Sequence, residues 1–420
     1  MDLRKFYKYE NGLLVMLFLA NGLMFFDRLA FNFLAPFFRG EFQLTNLHIG
    51  LLNSALGVAW AFSGFMLSGF IDRKANKRLI LVISIVLFSV CSIITGLATS
   101  FITLLLARII MGLAEGPVLP TTQALMVVES SPNRIGFNMG FIQAVAAGVF
   151  GQILTPILLI PVAEAFGWRT AFYFAGIPGI LLAIFLWVKL REPTLARFEM
   201  LKSHMKAKNE EIVESNNFKS IWTKNLILCV IIASLMITTF FSVLIFAPLY
   251  LVENRGFTPA QMGMFMTALG VSSVVGGFGI TALSDRFGRV PMIFISLVLV
   301  AFAPLVVFSL QATIPVLCLA IFAFWLGAGC LSILLATVPS ESVVGSYAGR
   351  AIAVVVGISE IIGGCLSPVL AGFLADHVRP EAPFILGFSA AVIAAIFSIF
   401  LTETAPVKVG NLNALKNVIE

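Results

Sequence analysis

Residues 69–78 read GFIDRKANKR, and residues 282–289 read ALSDRFGR. Each stretch contains an Asp-Arg pair that is followed within a few positions by further basic residues, and each comes directly after a long apolar run. A basic loop by itself is common. The same loop at matching positions in the two halves of the chain indicates an internal repeat, and therefore two units of similar architecture.

The apolar runs around these loops predict twelve membrane-spanning helices. The 420 residues are 59% hydrophobic and 11% charged, with a mean hydropathy of +1.01, whereas soluble globular chains carry about 25% charged residues. About 20 apolar residues cross a bilayer as a helix, which satisfies its own backbone hydrogen bonds. The predicted spans are 12–36, 47–70, 79–98, 102–128, 136–161, 169–189, 225–252, 259–283, 290–310, 313–337, 348–374 and 382–402.

The basic loops follow the second and the eighth spans, so they divide the chain into two pseudo-symmetric six-helix bundles. We predict an all-α membrane protein with an N-terminal bundle at 1–189, a charged linker at 190–224, a C-terminal bundle at 225–404 and a tail at 405–420. Two six-helix halves that enclose a site at the bilayer midplane are typical of secondary transporters.

The basic residues predict the orientation in the membrane. With a cytoplasmic N-terminus, twenty-one of the 27 Lys and Arg residues fall in inside segments and four in outside loops, which agrees with the positive-inside rule. We therefore expect a multi-pass protein of the cell (inner or plasma) membrane with both termini in the cytoplasm. Topology accounts for the net charge of +6, so no nucleic-acid partner is expected.

Five ionisable residues lie well inside the predicted helices: Asp27, Arg28, Arg108, Glu115 and Glu360. Each costs roughly 2.5–3.5 kcal/mol on insertion scales, so each is expected to pair or to face a wet cavity. Arg108 and Glu115 are seven positions apart, which places them on one helix face about 10.5 Å apart, too far for a direct ion pair. Asp27 and Arg28 are neighbours and point about 100° apart around their helix.

Two hypotheses account for these charges. In the first, Arg108 and Arg28 hold an anionic group by charge-assisted hydrogen bonds, while Asp27 and Glu115 carry protons. Burial favours the neutral carboxyl and a neighbouring arginine favours the charged one, so such a carboxyl can take up and release protons. In the second, the pairs Asp27–Arg108 or Arg28–Glu115 are structural ion pairs between the first and fourth helices. The residues alone leave both hypotheses open.

Residues 108–120 read RIIMGLAEGPVLP, which resembles the helix-4 signature R-x-x-x-G-x-x-E-G-x-x-x-P of the anion:cation symporter family within the major facilitator superfamily. The two basic loops resemble the G-x-L-x-D-R-x-G-R-R/K loop of that superfamily. The first copy departs from it by having Ala75-Asn76 where the second glycine of the pattern is usual. FDR at 26–28 and FGWRTAF at 166–172 resemble the family's D-R and G-W-R-x-x-F. The resemblance covers essentially the full chain.

This resemblance implies a symporter that imports a small organic anion, such as a sugar acid or a carboxylate, together with protons, by a rocker-switch form of alternating access. It also implies roles for particular residues: Asp27 and Glu115 in proton coupling, Arg28 and Arg108 in substrate binding, and Asp72, Arg73, Asp285 and Arg286 in a cytoplasmic gate.

Further polar residues inside the helices are candidate substrate ligands. Glu360 has no counterpart in the family pattern, so it is predicted to be a third proton site, a ligand for a cationic group of the substrate or a substrate-selecting residue, with a local hydrogen bond as the alternative. The other candidates are each more often helix-packing groups than ligands: Tyr250, Gln143 and Ser359.

Missing motifs exclude other classes of protein. The chain has no P-loop, no paired cysteines and no cluster with metal-ligand spacing, so we expect neither a metal nor a cofactor, with the proton gradient as the driving force. Without a nucleophile–base set, we do not expect an enzyme. The expected partners are the organic anion, protons and the lipid bilayer, and the expected state is a monomer. The alternatives are a spinster-like lysolipid or amphiphile carrier, a proton-coupled antiporter and a non-transporting membrane sensor.

Overall fold

The computed structural model describes residues 3–73, 76–131, 134–192, 222–343, 347–406 and 408, except for the side chains of 3–8 and 68–73. Every regular element in these ranges is a helix. Eleven helices are long and apolar enough to cross a membrane, and a twelfth apolar helix is shorter. The predicted all-α fold with twelve membrane helices is therefore confirmed.

We number the twelve helices in chain order. Their bounds are α1 Leu3–Phe38, α2 Asn46–Arg73, α3 Lys77–Gly96, α4 Phe101–Glu129, α5 Ile135–Phe166, α6 Trp168–Lys189, α7 Lys224–Glu253, α8 Pro259–Phe287, α9 Arg289–Phe308, α10 Ile314–Glu341, α11 Ala348–His377 and α12 Ala382–Ser398. Most of the predicted linker and tail lies outside the described residues.

Helix α4 is interrupted at its middle. Its first part ends at Glu115, Gly116 and Pro117 form a turn, and the second part begins at Val118. Proline cannot donate a backbone hydrogen bond and clashes with the preceding helical turn. The break therefore places the Glu115 carboxyl at the end of a helical segment, next to the turn.

Three other helices contain π-helical turns, which occur frequently at functional sites. Two of these turns include predicted substrate residues, Gln143 in α5 and Glu360 in α11. The π-helical segments are Phe141–Val145 and Ala147–Leu154 in α5, Ile333–Thr337 in α10 and Glu360–Leu366 in α11.

The chain divides into two compact units. Short segments at the starts of α2 and α8 are assigned to the unit opposite to the one that holds the rest of the helix. Unit 1 comprises Met1–Leu44, Leu52–Glu210 and Phe257–Gly270, and unit 2 comprises Thr45–Leu51, Glu211–Gly256 and Val271–Glu420. The division predicted from the sequence, at 189 and 225, stays a prediction.

In unit 1, α4 packs closely on α2 at two glycines. A Cβ atom on Gly112 would overlap the carbonyl of Leu56, and one on Gly116 would lie 2.6 Å from the carbonyl oxygen of Trp60. The Ser63 hydroxyl also donates to the carbonyl of Gly112 at 3.4 Å. Small residues four positions apart let two membrane helices approach closely. This contact holds the middle of α2 against α4.

Each unit contains a carboxylate that caps the N-terminus of a membrane helix. In unit 1, Glu192 follows α6 and accepts the first two backbone N–H groups of α3 at 2.9 and 2.8 Å. In unit 2, Glu403 follows α12 and accepts the first two backbone N–H groups of α9 at 2.8 and 3.2 Å. A negative charge is stabilised at the positive end of a helix dipole. The two caps form a second internal repeat that the sequence analysis missed.

The backbone conformation of the second basic loop requires its glycine. Gly288 has a φ of 105° directly before α9, a conformation that residues with a side chain rarely adopt. In the first loop, the residue before α3 is Asn76, with a φ of −68° and a side-chain oxygen that accepts the N–H of Leu79 at 2.9 Å. The first loop thus enters its helix through an asparagine cap and needs no glycine there.

Candidate functional site

Helices α1 and α4 bring three of the predicted site residues into one buried cluster within unit 1. Asp27 is 1% exposed, Arg108 1% and Glu115 0%. Each of the three interacts electrostatically with the other two. Arg28 is only half-buried and interacts with Glu115 and Arg108 from the edge of the cluster.

The two carboxyl groups of the cluster are buried without hydrogen bonds. Among the described residues, neither oxygen of Asp27 and neither oxygen of Glu115 has a hydrogen-bond partner. Ser92 on α3 lies beside Asp27, but its hydroxyl donates to the carbonyl of Phe172 at 3.3 Å. An ionised carboxylate that is buried without a partner carries a large desolvation penalty, and neutralisation removes it.

Arg108 is held by an aromatic ring and by one backbone carbonyl. Its guanidinium lies 3.9 Å from the centroid of the Phe31 ring, and Nη1 donates to the carbonyl of Arg28 at 3.4 Å. Nε and Nη2 are buried without a hydrogen-bond partner. Phe31 follows Asp27 by four positions, so the two residues share one face of α1. These two donors of Arg108 can bind an acceptor such as a carboxylate.

The structure does not support the hypothesis of structural ion pairs between the first and fourth helices. Within the described residues, neither Asp27–Arg108 nor Arg28–Glu115 forms a salt bridge. The four charged groups act on one another through space, and their formal charges cancel when all of them are ionised. A cluster of this kind responds to any added charge, whether a proton or an anion.

Arg28 has its aromatic neighbour on a different helix. Its guanidinium lies 5.3 Å from the centroid of the Trp60 ring on α2. This distance is within the range of cation–π interactions. The indole nitrogen of Trp60 is buried and has no hydrogen-bond partner in the part of the chain that the structure describes.

The sequence analysis missed Phe31, Trp60 and Ser92. The spacing of four between Asp27 and Phe31 was a usable signal, since such residues meet on a helix. Trp60 and Ser92 are uncharged residues on other helices, and only the packing of α2 and α3 brings them to the cluster.

Gln143 lies outside the buried cluster, although it belongs to the same unit. It is exposed, and its side-chain oxygen accepts the amide of Gln123 on α4 at 3.2 Å. The pair connects α4 with the π-helical part of α5. The assignment of Gln143 to the substrate stays a prediction.

Three predicted substrate residues belong to unit 2. Ser359 is buried, and its hydroxyl donates to the carbonyl of Val230 at 3.3 Å. Glu360 is half-buried and begins the π-helical turn of α11. The hydroxyl of Tyr250 donates to Glu381 at 3.1 Å, beyond the end of α11. Ser359 and Tyr250 thus have structural partners, and the substrate roles of all three residues stay predictions.

In the second basic loop, Asp285 accepts a hydrogen bond from Arg289. Arg289 also binds Glu341, at the end of α10, with an N···O distance of 2.9 Å. The hydroxyl of Thr404 donates to Glu341 at 2.6 Å. The loop is therefore tied to the ends of α10 and α12 through Arg289, a residue that was quoted in the motif but not assigned to the gate.

The remaining gate candidates have few described contacts. Arg286 is exposed, and its guanidinium lies 5.7 Å from the centroid of the Phe287 ring. Asp72 and Arg73 belong to the last turn of α2, but their side chains lie outside the described part of the structure.

Among the described residues, no group of three or more His, Cys, Asp or Glu residues is arranged to hold a metal ion. Cys91 is the thiol nearest to the charged cluster, where it interacts electrostatically with Asp27, Glu115 and Arg108. It is buried and free.

The sequence pattern of the Major Facilitator Superfamily matches residues 17–355 and 239–417. A hexuronate transporter of Bacillus subtilis (strain 168) is 26% identical in an alignment 411 residues long that covers 93% of this chain and 94% of the relative. A probable sulfoacetate transporter of Cupriavidus necator, SauU, is 26% identical in an alignment 418 residues long that covers 94% of each protein.

The fold is similar to that of a bacterial homologue of the human lysosomal transporter Spinster, solved in an inward-facing and occupied conformation. The TM-score is 0.72 at 18% sequence identity, over 93% of this chain and 96% of that chain. At this identity the likeness concerns the fold alone.

Proposed function

The chain belongs to the Major Facilitator Superfamily, and on that premise we propose that it is a proton-coupled symporter that imports a small organic anion, such as a sugar acid or a carboxylate. Its family and its relatives are transporters and not enzymes. The relatives for hexuronate and sulfoacetate confirm the resemblance to anion:cation symporters and support an organic anion as the substrate here.

One observation carries the proposal. Two buried carboxyls without hydrogen bonds, Asp27 and Glu115, lie in the same cluster as the buried guanidinium of Arg108. Arginine binds carboxylates through paired N–H groups. The cluster therefore contains both kinds of group that a symporter of anions and protons requires.

The electrostatics suggest how the two ligands cooperate. When an anion binds the arginines, it cancels the positive charge that favours the ionised forms of Asp27 and Glu115. The carboxyls then carry uncompensated negative charge in a low-dielectric site, and proton uptake removes that charge. The loaded site is close to neutral, which lowers the cost of moving it between the two sides of the membrane by alternating access.

The proposal extends to the placement of the chain and to its gate. We assign both termini to the cytoplasm and the protein to the cell membrane, as a monomer, because the basic residues concentrate in the corresponding loops. On this assignment the contacts of Asp285 and Arg289 with the end of α10 lie on the cytoplasmic side. They support the proposal that this loop is part of a cytoplasmic gate.

A spinster-like carrier of lysolipids or other amphiphiles is the second candidate. Its support is the shared fold and the Asp-Arg pair of α1. A large apolar substrate would not require the second arginine and the second carboxyl that α4 contributes. An antiporter built on the same cluster would move substrate and protons in opposite directions, and a sensor would bind its ligand without transporting it. A transport assay distinguishes both from a symporter.

Uptake by the purified protein in proteoliposomes tests the proposal. We expect a radiolabelled hexuronate, sugar acid or sulfoacetate to accumulate when the outside is acidic, and accumulation to vanish when a protonophore removes the gradient. Asp27→Asn and Glu115→Gln should each abolish gradient-driven accumulation, because an amide cannot exchange a proton. Glu164→Gln serves as the control, since Glu164 is an exposed carboxylate of α5 outside the cluster.

Two outcomes would contradict the proposal. Uptake that ignores the imposed pH gradient, or that persists unchanged in both amide variants, would remove the proton-coupling role of the cluster. Preferential transport of a lysolipid over every small anion tested would favour the spinster-like carrier.

A further inference from the structure

We propose that Trp60 is a positioning residue that presents Arg28 to the carboxylate of the substrate. Its indole ring supports the guanidinium of Arg28 on one face, so that the N–H groups at the edge of the guanidinium are directed to the ligand. This inference rests on the proposed function, because that function makes Arg28 a residue that meets the anion.

The two arginines of the cluster have different surroundings. Arg108 is 1% exposed and interacts with both carboxyls, so it acts as their internal counter-charge. Arg28 is half-buried, and within the described part of the chain its guanidinium contacts the ring of Trp60 and forms no hydrogen bond or ion pair. Arg28 is therefore the more accessible of the two arginines to a ligand.

The position of Trp60 is determined by its backbone. Gly116 of α4 lies so close that a Cβ there would be 2.6 Å from the Trp60 carbonyl oxygen, and a Cβ on Gly112 would be 3.1 Å from the Trp60 nitrogen. The Ser63 hydroxyl adds a hydrogen bond to the same Trp60 carbonyl at 3.3 Å. The backbone of Trp60, from which the indole extends, therefore occupies a fixed place relative to α4, which also carries Arg108 and Glu115.

The aromatic ring of Trp60, and not its indole N–H, makes the contact with Arg28. The indole nitrogen is buried without a partner, so no described hydrogen bond is lost when the residue becomes phenylalanine. The ring lies 5.3 Å from the guanidinium carbon, where its negative face attracts the cation. A substitution that keeps an aromatic ring should thus keep the function, and an aliphatic one should not.

This arrangement favours ligands with two coplanar anionic oxygens. A guanidinium covered on one face by a ring still offers its N–H groups in the plane of the fork, where a carboxylate accepts two parallel hydrogen bonds. A neutral polyol or an amine lacks such a group. The inference therefore narrows the substrate to molecules that enter the site with a free carboxylate, or with a sulfonate as its closest analogue.

Kinetics of uptake test the inference with a matched control in the same chain. Trp187 supports the guanidinium of Arg78 at 4.4 Å, at the start of α3 and away from the cluster. We expect Trp60→Leu to raise KM roughly 5- to 30-fold with little change in Vmax, as the loss of a partly desolvated cation–π contact implies. Trp60→Phe should stay near the wild-type KM, and Trp187→Leu should leave KM unchanged.

A second measurement does not depend on transport. Phenylglyoxal modifies accessible guanidinium groups, and peptide mass spectrometry reports the rate at Arg28 in the purified full chain. We expect Trp60→Leu to increase this rate several-fold, Trp60→Phe to leave it near the wild-type value, and Trp187→Leu to leave it unchanged. Trp60→Met, which keeps a large apolar side chain, replaces the leucine variant if the latter is not recovered in folded form.

The outcomes separate this inference from the proposed function. If the wild type takes up an organic anion while Trp60→Leu keeps the wild-type KM and the wild-type modification rate, Trp60 has no positioning role. If the wild type takes up no anion, the proposed function fails, and the modification rate at Arg28 still decides whether Trp60 supports that side chain.

Discussion

Glu41 links the loop after α1 to the start of α6. Arg169 donates to both of its carboxylate oxygens, at 2.9 and 2.6 Å, and the indole of Trp168 donates to one of them at 3.0 Å. These donors are part of the segment that resembles the G-W-R-x-x-F motif. Hydrogen bonding from Arg169, with a smaller contribution from Trp168, holds the pKa of Glu41 below its ordinary value.

The lowered pKa of Glu41 predicts a dependence of stability on pH. A carboxylate whose pKa is lower in the folded state stabilises that state at pH values above its ordinary pKa, and the stabilisation is lost as the pH falls through the folded-state pKa. We expect Glu41→Gln to lower the unfolding temperature of the purified protein slightly at pH 7. The difference from the wild type should shrink below about pH 4.

The effect should be small because the pair is partly exposed and solvent screens it. The side chains of Arg169 and Glu41 are 39% and 44% exposed. Fluorescence-detected unfolding in detergent at several pH values measures the difference. An equal difference at pH 7 and at pH 3.5 would show that the charge of Glu41 does not matter.

At the scale of helices, the clearest regularity is the pair of carboxylate caps. Glu192 and Glu403 each bind two backbone N–H groups at the start of another helix, across 115 and 114 residues of chain. The first four N–H groups of a helix have no partner within it. Each cap satisfies two of them and ties the end of one membrane helix to the beginning of another.

The caps predict equal effects for equivalent substitutions. Glu403→Gln leaves a single acceptor oxygen for two N–H groups and removes the charge at the helix dipole. We expect a loss of about 1 kcal/mol, which corresponds to a few degrees in the unfolding temperature. Glu192→Gln should cost a similar amount, because Glu192 caps two N–H groups of α3 in the same way, whereas Glu403 also accepts the N–H groups of Thr404 and Ala405 at 3.0 and 2.9 Å.

Thermal unfolding of the two variants beside Glu164→Gln, whose carboxylate is exposed, checks this expectation. A large effect of one cap with none of the other would mean that the structural repeat has no energetic counterpart.

At the scale of the whole molecule, each half of the sequence supplies a segment to the other unit. Thr45–Leu51 belongs to unit 2, where Asp376 of α11 accepts the backbone N–H groups of Asn46 and Leu47 at 2.9 and 2.8 Å. Phe257–Gly270 belongs to unit 1, where a Cβ on Gly270 would lie 2.6 Å from the Gln152 carbonyl oxygen. Neither half of the sequence therefore contains a complete unit.

This division predicts the behaviour of a split protein. Residues 1–192 and 222–420, produced as separate chains, should each give no uptake alone, and uptake should return when both are produced in the same cells. Asp376→Asn should reduce that recovery more than it reduces uptake by the uninterrupted chain, because the covalent link no longer keeps the segments together. Uptake by either half alone would contradict the prediction.

Much of the charged site was predictable because the bilayer makes intramembrane charges rare. The cost of a charge in lipid identified Asp27, Arg28, Arg108 and Glu115. The spacing of seven residues on α4 correctly predicted two charged groups on one helix without a direct bond between them. Gln143 shows the limit of this reasoning, since a polar residue inside an apolar run is compatible with several orientations. Nothing in its sequence neighbourhood distinguishes the buried cluster from the exposed side of α5.

The sequence alone determined the twelve helices and the identity of the charged residues, because backbone satisfaction and the cost of charge in lipid act locally along the chain. Only the tertiary structure decided that Trp60 supports Arg28, that Phe31 supports Arg108, and that Glu192 and Glu403 cap distant helices. These contacts join residues from different helices. They depend on the depth and rotation at which the helices pack. Close contacts such as Gly116 against Trp60 determine this packing, and hydropathy does not encode it.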